Sequence, residues 1–265
     1  MRIPIWYWVS SGLLLLLNVA VYALAPEGGA LLVWTSTLLP IAAAALGAAG
    51  VLAAVAALKT RDSARLAWSL LALGMALSAC GETTYMLLDS VFGIDVESLG
   101  STVADAFWML AYLPYFASLA ILLSGYRKSG LPMGEARRYL AILGAASVAA
   151  IALIVWLLVP ILRDGETDLV SKIVYVYYPA ADLVLLVPAG ILIAITAQFG
   201  KGLLSVPWTC IAIAFLLWAG ADMVYSWLGW NGLYGEGNFI DLGWNAAYLL
   251  IGAAGLFQRS ILVSD

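Results

Sequence analysis

The chain has 265 residues, 64% of them hydrophobic and 11% charged, and its mean hydropathy is +1.00. A soluble domain is about half apolar and about a quarter charged, so a soluble fold could not clothe this much apolar surface. Net charge is −4 with no nucleic-acid tract, and the absence of histidine excludes bis-histidine haem, histidine-ligated zinc and serine–histidine triads.

An apolar run of about 20 residues crosses the hydrocarbon core. Eight such runs follow one another, at approximately 4–25, 30–58, 64–92, 103–124, 138–162, 170–198, 207–228 and 239–257. The first, with Arg2 before it and Ala23-Leu24-Ala25 near its end, resembles a signal peptide. Its apolar stretch is long and Pro26 follows the candidate cut, so it reads as a retained first helix. The second carries Pro40 and the small residues of 42–50, which suit close helix packing. The third carries Trp68 and Cys80-Gly81-Glu82-Thr83-Thr84-Tyr85.

Asp89, Asp95 and Glu97 then read as solvated loop charges. The fourth helix begins with Asp105-x-x-Trp108-x-x-x-Tyr112 and holds Pro114. The fifth has a second small-residue stretch at 144–150, again suited to packing. The sixth carries Tyr175, Tyr178, Pro179, Asp182 and Pro188. Pro114 and Pro188 each remove a mid-helix hydrogen bond and favour a kink. The seventh holds Trp208 and Gly220-Ala221-Asp222-Met223-Val224-Tyr225, and the eighth Asp241-x-x-Trp244-x-x-x-Tyr248. Cys80 and Cys210 fall at different predicted depths, which disfavours a disulfide.

The basic residues set an orientation, because cytoplasmic loops carry the excess of lysine and arginine. With the N-terminus inside, Arg2, Lys59, Arg61, Arg65, Arg127, Lys128, Arg137, Arg138, Lys201 and Arg259 fall on the cytoplasmic side, and only Arg163 and Lys172 outside. Of the acids, only Asp62, Glu135 and Asp265 fall inside. Both termini are then cytoplasmic, and the expected location is the cell membrane.

The halves resemble each other. Trp68, Glu82 and Tyr85 match Trp208, Asp222 and Tyr225 at an offset of 140, and Asp105, Trp108 and Tyr112 match Asp241, Trp244 and Tyr248 at 136. The second helix also parallels the sixth. The expected architecture is an all-α membrane protein, an eight-helix transmembrane bundle of two parallel four-helix repeats, 1–137 and 138–265, related by a pseudo-two-fold along the membrane normal.

Charge inside a bilayer is costly, so intramembrane acids face the bundle interior and mark candidate sites. Glu82, Asp105, Asp182, Asp222 and Asp241 all map to the outer half. Residues three, four or seven apart share a helix face. That places Tyr85, Trp108, Tyr112, Tyr175, Tyr178, Tyr225, Trp244 and Tyr248 beside them. A pocket lined this way suits a cation, or a flat amphipathic ligand. The competing reading makes the acids structural glue between helices. Trp6, Tyr7, Trp8, Trp34, Trp227 and Trp230 read as an interfacial belt.

No catalytic motif, metal cluster or cofactor signature is present, although a carboxylate pair suffices for acid–base chemistry. Three functions remain: a sensor or ligand-binding module, a secondary transporter or cation carrier, and a lipid-modifying enzyme. The expected partners are the lipid bilayer and a small cationic or amphipathic ligand. The third- and fourth-helix motifs, with Tyr177-Tyr178-Pro179-Ala180-Ala181-Asp182, resemble the multi-helix N-terminal membrane sensor modules of bacterial and archaeal diguanylate cyclases and histidine kinases. That resemblance implies a sensory role and a cytoplasmic signalling partner. It would make the acids and aromatics ligand or coupling residues. The sequence carries no output domain after the eighth helix, which fits a stand-alone relative, a partner subunit or a truncated piece.

Overall fold

A computed structural model of the chain describes all residues except 1–2, 27, 61, 97–98, 129, 131–134, 197, 199–204, 236 and 264–265. The readings made for Arg2, Arg61, Glu97, Lys201 and Asp265 lie outside the described residues. Among those described, eight helices are long and apolar enough to cross a membrane. They are α1 (Ile5–Leu24), α2 (Ala30–Ala57), α3 (Ser63–Val91), α4 (Val103–Lys128), α5 (Ala136–Arg163), α6 (Leu169–Thr196), α7 (Val206–Trp230) and α8 (Asp241–Val263). The protein is an all-α, multi-span membrane protein. Within a bilayer the helix satisfies every backbone polar group internally, so these runs have no other spanning form open to them.

Local chemistry sets several ends. Asp62 caps α3 by accepting the Ala64 amide at 2.8 Å. Asp168 caps α6 through the Val170 and Ser171 amides at 2.8 and 3.1 Å. α4 and α8 run four and six residues past the apolar stretches that announce them. Their ladders continue through Arg127, Lys128 and Arg259, where the side chain is polar but the backbone has no reason to stop. Leu87–Val91 at the end of α3 and Ile154–Leu158 within α5 widen into π-helical turns. Asp89 therefore belongs to a helical turn, not to a loop, and bonds the Ser90 hydroxyl.

Helices α2, α3, α4, α6, α7 and α8 close a ring in that order. α1 lies against α2 and α8, and α5 lies against α6. The tightest seam is α2–α8. A side chain on Gly47 would run into the Tyr248 carbonyl, and one on Gly50 into Gly252. Small residues let the two backbones touch, which is how helices associate where lipid removes the hydrophobic drive. The 144–150 stretch does not act this way. Gly144 has nothing near it, and the segment faces outward from α5, a correction to its reading as a packing surface.

Tyr7 is a second correction. It is buried, and its hydroxyl donates to the Leu249 carbonyl at 2.6 Å, fastening α1 to α8 instead of sitting in a lipid belt. Trp6, Trp8, Trp34 and Trp227 are exposed as a belt requires. Trp230 is half-buried and donates to Asp164 at 2.9 Å, tying the α5–α6 connection to the end of α7. Cys80 and Cys210 are free thiols.

Candidate functional site

At the end of the ring that carries the α3–α4 and α7–α8 connections lies a cavity of about 140 Å³. At about 30 Å³ per water in the liquid, that is room for about five waters or one small ligand. All six ring helices contribute to its wall. Twelve of the thirteen residues singled out from the sequence line it: Glu82, Tyr85, Asp105, Trp108, Tyr112, Tyr175, Tyr178, Asp222, Tyr225, Asp241, Trp244 and Tyr248. Asp182 does not; it sits behind Tyr112, outside the lining. No lysine or arginine lines the cavity among the described residues.

Each acid is held by named donors. Glu82 accepts the Tyr248 hydroxyl at 2.7 Å and is bonded by the Trp108 indole. Asp222 accepts the Tyr112 hydroxyl at 2.7 Å and the Trp244 indole at 2.6 Å. The two acids thus have the same cage. Each takes its tryptophan from the next helix in sequence and its tyrosine from the opposite half of the chain. Asp105 accepts the Tyr178 hydroxyl and the Thr102 amide, both at 2.7 Å. Thr102 in turn accepts the Ala104 amide, so Thr102-x-x-Asp105 is a capping box that starts α4. Asp241 accepts the Tyr22 hydroxyl at 2.8 Å and that of Tyr234 at 3.0 Å.

The aromatic rings form a continuous wall. Tyr225 meets Tyr175, Tyr178, Tyr234 and Trp244 with ring centroids 6.0, 6.4, 4.9 and 5.8 Å away, all edge-on. Trp108 lies 6.1 Å from Tyr85. Burial, with the Asp241 carboxylate beside it, pushes the Tyr234 phenol well above its ordinary value, so it stays a neutral donor.

Several wall residues escaped the sequence reading. Tyr22 and Tyr234 complete the Asp241 cage, and Asn245 adds a buried amide. Its Nδ2 donates to Asn18 at 2.8 Å, while its Oδ1, at 0% exposure, has no partner. Asn18 was the visible signal, a lone amide in an otherwise apolar first helix. The Thr102-x-x-Asp105 spacing was another.

Away from the cavity the interior closes. Trp68 and Trp208 face each other at 6.0 Å near the starts of α3 and α7, within the apolar core that also holds Ala43, Ala44, Val51, Leu71 and Met75. No family model matches the chain, and neither a curated protein nor a solved structure does.

Proposed function

We propose that this chain is a membrane-embedded sensor module that binds a small organic cation from the non-cytoplasmic side. One observation carries the binding function. Four carboxyl groups line a cavity to which no basic side chain contributes among the described residues. The polar side chains of its wall are carboxyls, hydroxyls, indoles and the Asn245 amide, none of them cationic. The rings add their negative faces, which attract a cation by 0.5–2 kcal/mol each, roughly, when desolvated.

Orientation follows from charge. Lys59, Arg65, Arg127, Lys128, Arg137, Arg138 and Arg259 lie toward the end opposite the cavity, and Arg163 and Lys172 at the cavity end, so the cavity opens outward. The matched cages of Glu82 and Asp222 support two parallel four-helix repeats. The sensory role is supported by the likeness of the acid–aromatic motifs to signalling membrane modules, whose output is cytoplasmic. A carrier needs a polar route to the other face, and the tryptophan and alanine packing beneath the cavity favours binding over transport.

The test is a tryptophan-fluorescence titration of the full chain in lipid nanodiscs with choline and with dimethylbutanol, its uncharged isostere. Choline binding that saturates, at least tenfold tighter than dimethylbutanol and weakened tenfold or more in Asp241→Asn, is the expected result. Equal response to the two compounds overturns the cation site.

A further inference from the structure

The Tyr112 hydroxyl lies 2.9 Å from Asp182 Oδ1 and 2.7 Å from Asp222 Oδ2. A phenol has one proton and makes one good donation. Two carboxylates cannot both be served by it. If both were charged, two anions would sit side by side in the dry interior with no cation between them. The titratable groups around the pair are Tyr112 from α4, Tyr177 and Tyr178 from α6, and Glu82 from α3. None is basic. The one ion pair among the described residues, Arg138 with Glu135, lies at the other end of the bundle.

A single proton on the pair satisfies these contacts. Asp222 takes two donors, Tyr112 and the Trp244 indole, as an anion should. Asp182 has only Tyr112 as a hydroxyl donor among the described residues, and its carboxyl meets that of Asp222 directly. A second carboxylate placed so would carry the full desolvation cost of a charge; a neutral acid carries far less. Asp182 is then the acid. Its O–H faces both the Asp222 carboxyl and the Tyr112 oxygen, and Tyr112 donates to Asp222.

We propose that Asp182, Tyr112 and Asp222 form a proton-binding site behind the cavity wall, holding one exchangeable proton at neutral pH. The proton leaves by relay. The Asp182 O–H bond breaks as an Asp222 oxygen takes the proton, either directly across the carboxyl contact or through Tyr112, which accepts it and passes its own proton on. Asp222 lines the cavity, so exchange with the outer medium runs through it. Two close carboxyls titrate as a unit, and a cation beside Asp222 favours the fully deprotonated pair. Ligand entry therefore releases the proton; this coupling rests on the cation-binding reading, whereas the proton site itself does not.

Infrared spectroscopy of the ligand-free full chain in nanodiscs tests the site. At neutral pH a protonated-carboxyl C=O band is expected. It should move when the chain is made with isotopically labelled aspartate, shift in heavy water, and disappear in Asp182→Asn but not in Glu82→Gln. Absence of an aspartate-sensitive band in the wild-type chain overturns the site without reliance on any variant. So does a band that persists in folded Asp182→Asn. A pH-dye measurement during choline addition then tests the coupling. Release approaching one proton per chain is expected, and saturable choline binding with no release overturns the coupling alone.

Discussion

The α2–α8 seam allows a sharp test, because two glycines in similar apolar helices differ in what surrounds them. Ordinary contact begins at 3.4 Å, and a methyl group on Gly50 would stand 2.7 Å from the Gly252 Cα and closer still to its carbonyl oxygen, so the helices must part by at least about 0.7 Å. A radial gap of 0.5–1 Å forfeits about a quarter to a half of each van der Waals well along the seam. Overpacking of this kind costs about 1–3 kcal/mol. Gly144 on α5 has nothing within 4 Å, so the same methyl group there adds helix propensity, worth up to about 1 kcal/mol, and meets no neighbour. Thermal unfolding in nanodiscs should therefore place Gly50→Ala several degrees below wild type and Gly144→Ala at or slightly above it. Choline affinity should fall in the first variant only, because α2 and α8 supply Pro40, Asp241 and Trp244 to the cavity wall. Equal melting temperatures for the two variants would refute the account of the seam.

Other perturbations read out single contacts. Tyr248→Phe leaves Glu82 with the Trp108 indole, and should cost about 0.6–2 kcal/mol in unfolding free energy, the range for interhelical hydrogen bonds in membranes. A loss outside error in Tyr248→Phe but none in the exposed control Trp156→Phe is the signature. Thr102→Ala breaks the capping box of α4 and should cost about 1 kcal/mol, with faster amide exchange confined to the first turn. At the α5–α6 connection, the Thr167 hydroxyl, the Glu166 amide and the Trp230 indole hold the Asp164 carboxyl well below its ordinary value. The Ser171 contacts lower Asp168 likewise. Depressed carboxyls contribute above their unfolded values, near 4, and lose that contribution as pH falls through the folded values. Amide exchange at the connection, relative to an unstructured peptide at the same pH, should stay slow down to about pH 4 and quicken below it. Quickening that begins near pH 6 would contradict this.

The spans were legible because a run of twenty apolar residues has one structural outcome in a bilayer. Their ends were less so, since hydropathy drops at Arg127 and Arg259 where the backbone ladder does not. The acid–aromatic cluster was legible through spacing alone. Three-, four- and seven-residue separations put Asp241, Trp244 and Tyr248 on one face, and their common depth brought them to one end. What spacing could not supply was partnership between helices distant in sequence. Tyr22 reaches Asp241 across 219 positions, and Tyr7 reaches Leu249 across 242. The same limit explains Asp182, whose depth was readable but whose place behind Tyr112 depends on how α4 packs on α6. It also explains the two small-residue stretches, which are alike in composition. Only the packing of α8 onto α2 makes 42–50 a seam and leaves 144–150 facing lipid.

The decisive measurement is where a cation sits. Solid-state NMR of the full chain in bilayers, with labelled methyl groups on choline and labelled tryptophan rings, reports that contact. Cross-peaks from the choline methyls to Trp108 and Trp244 are predicted, lost together in Asp222→Asn. Contacts confined to the surface rings of Trp6, Trp8 or Trp34, or none at all at saturating choline, would show that the hollow between the helices is not a cation site.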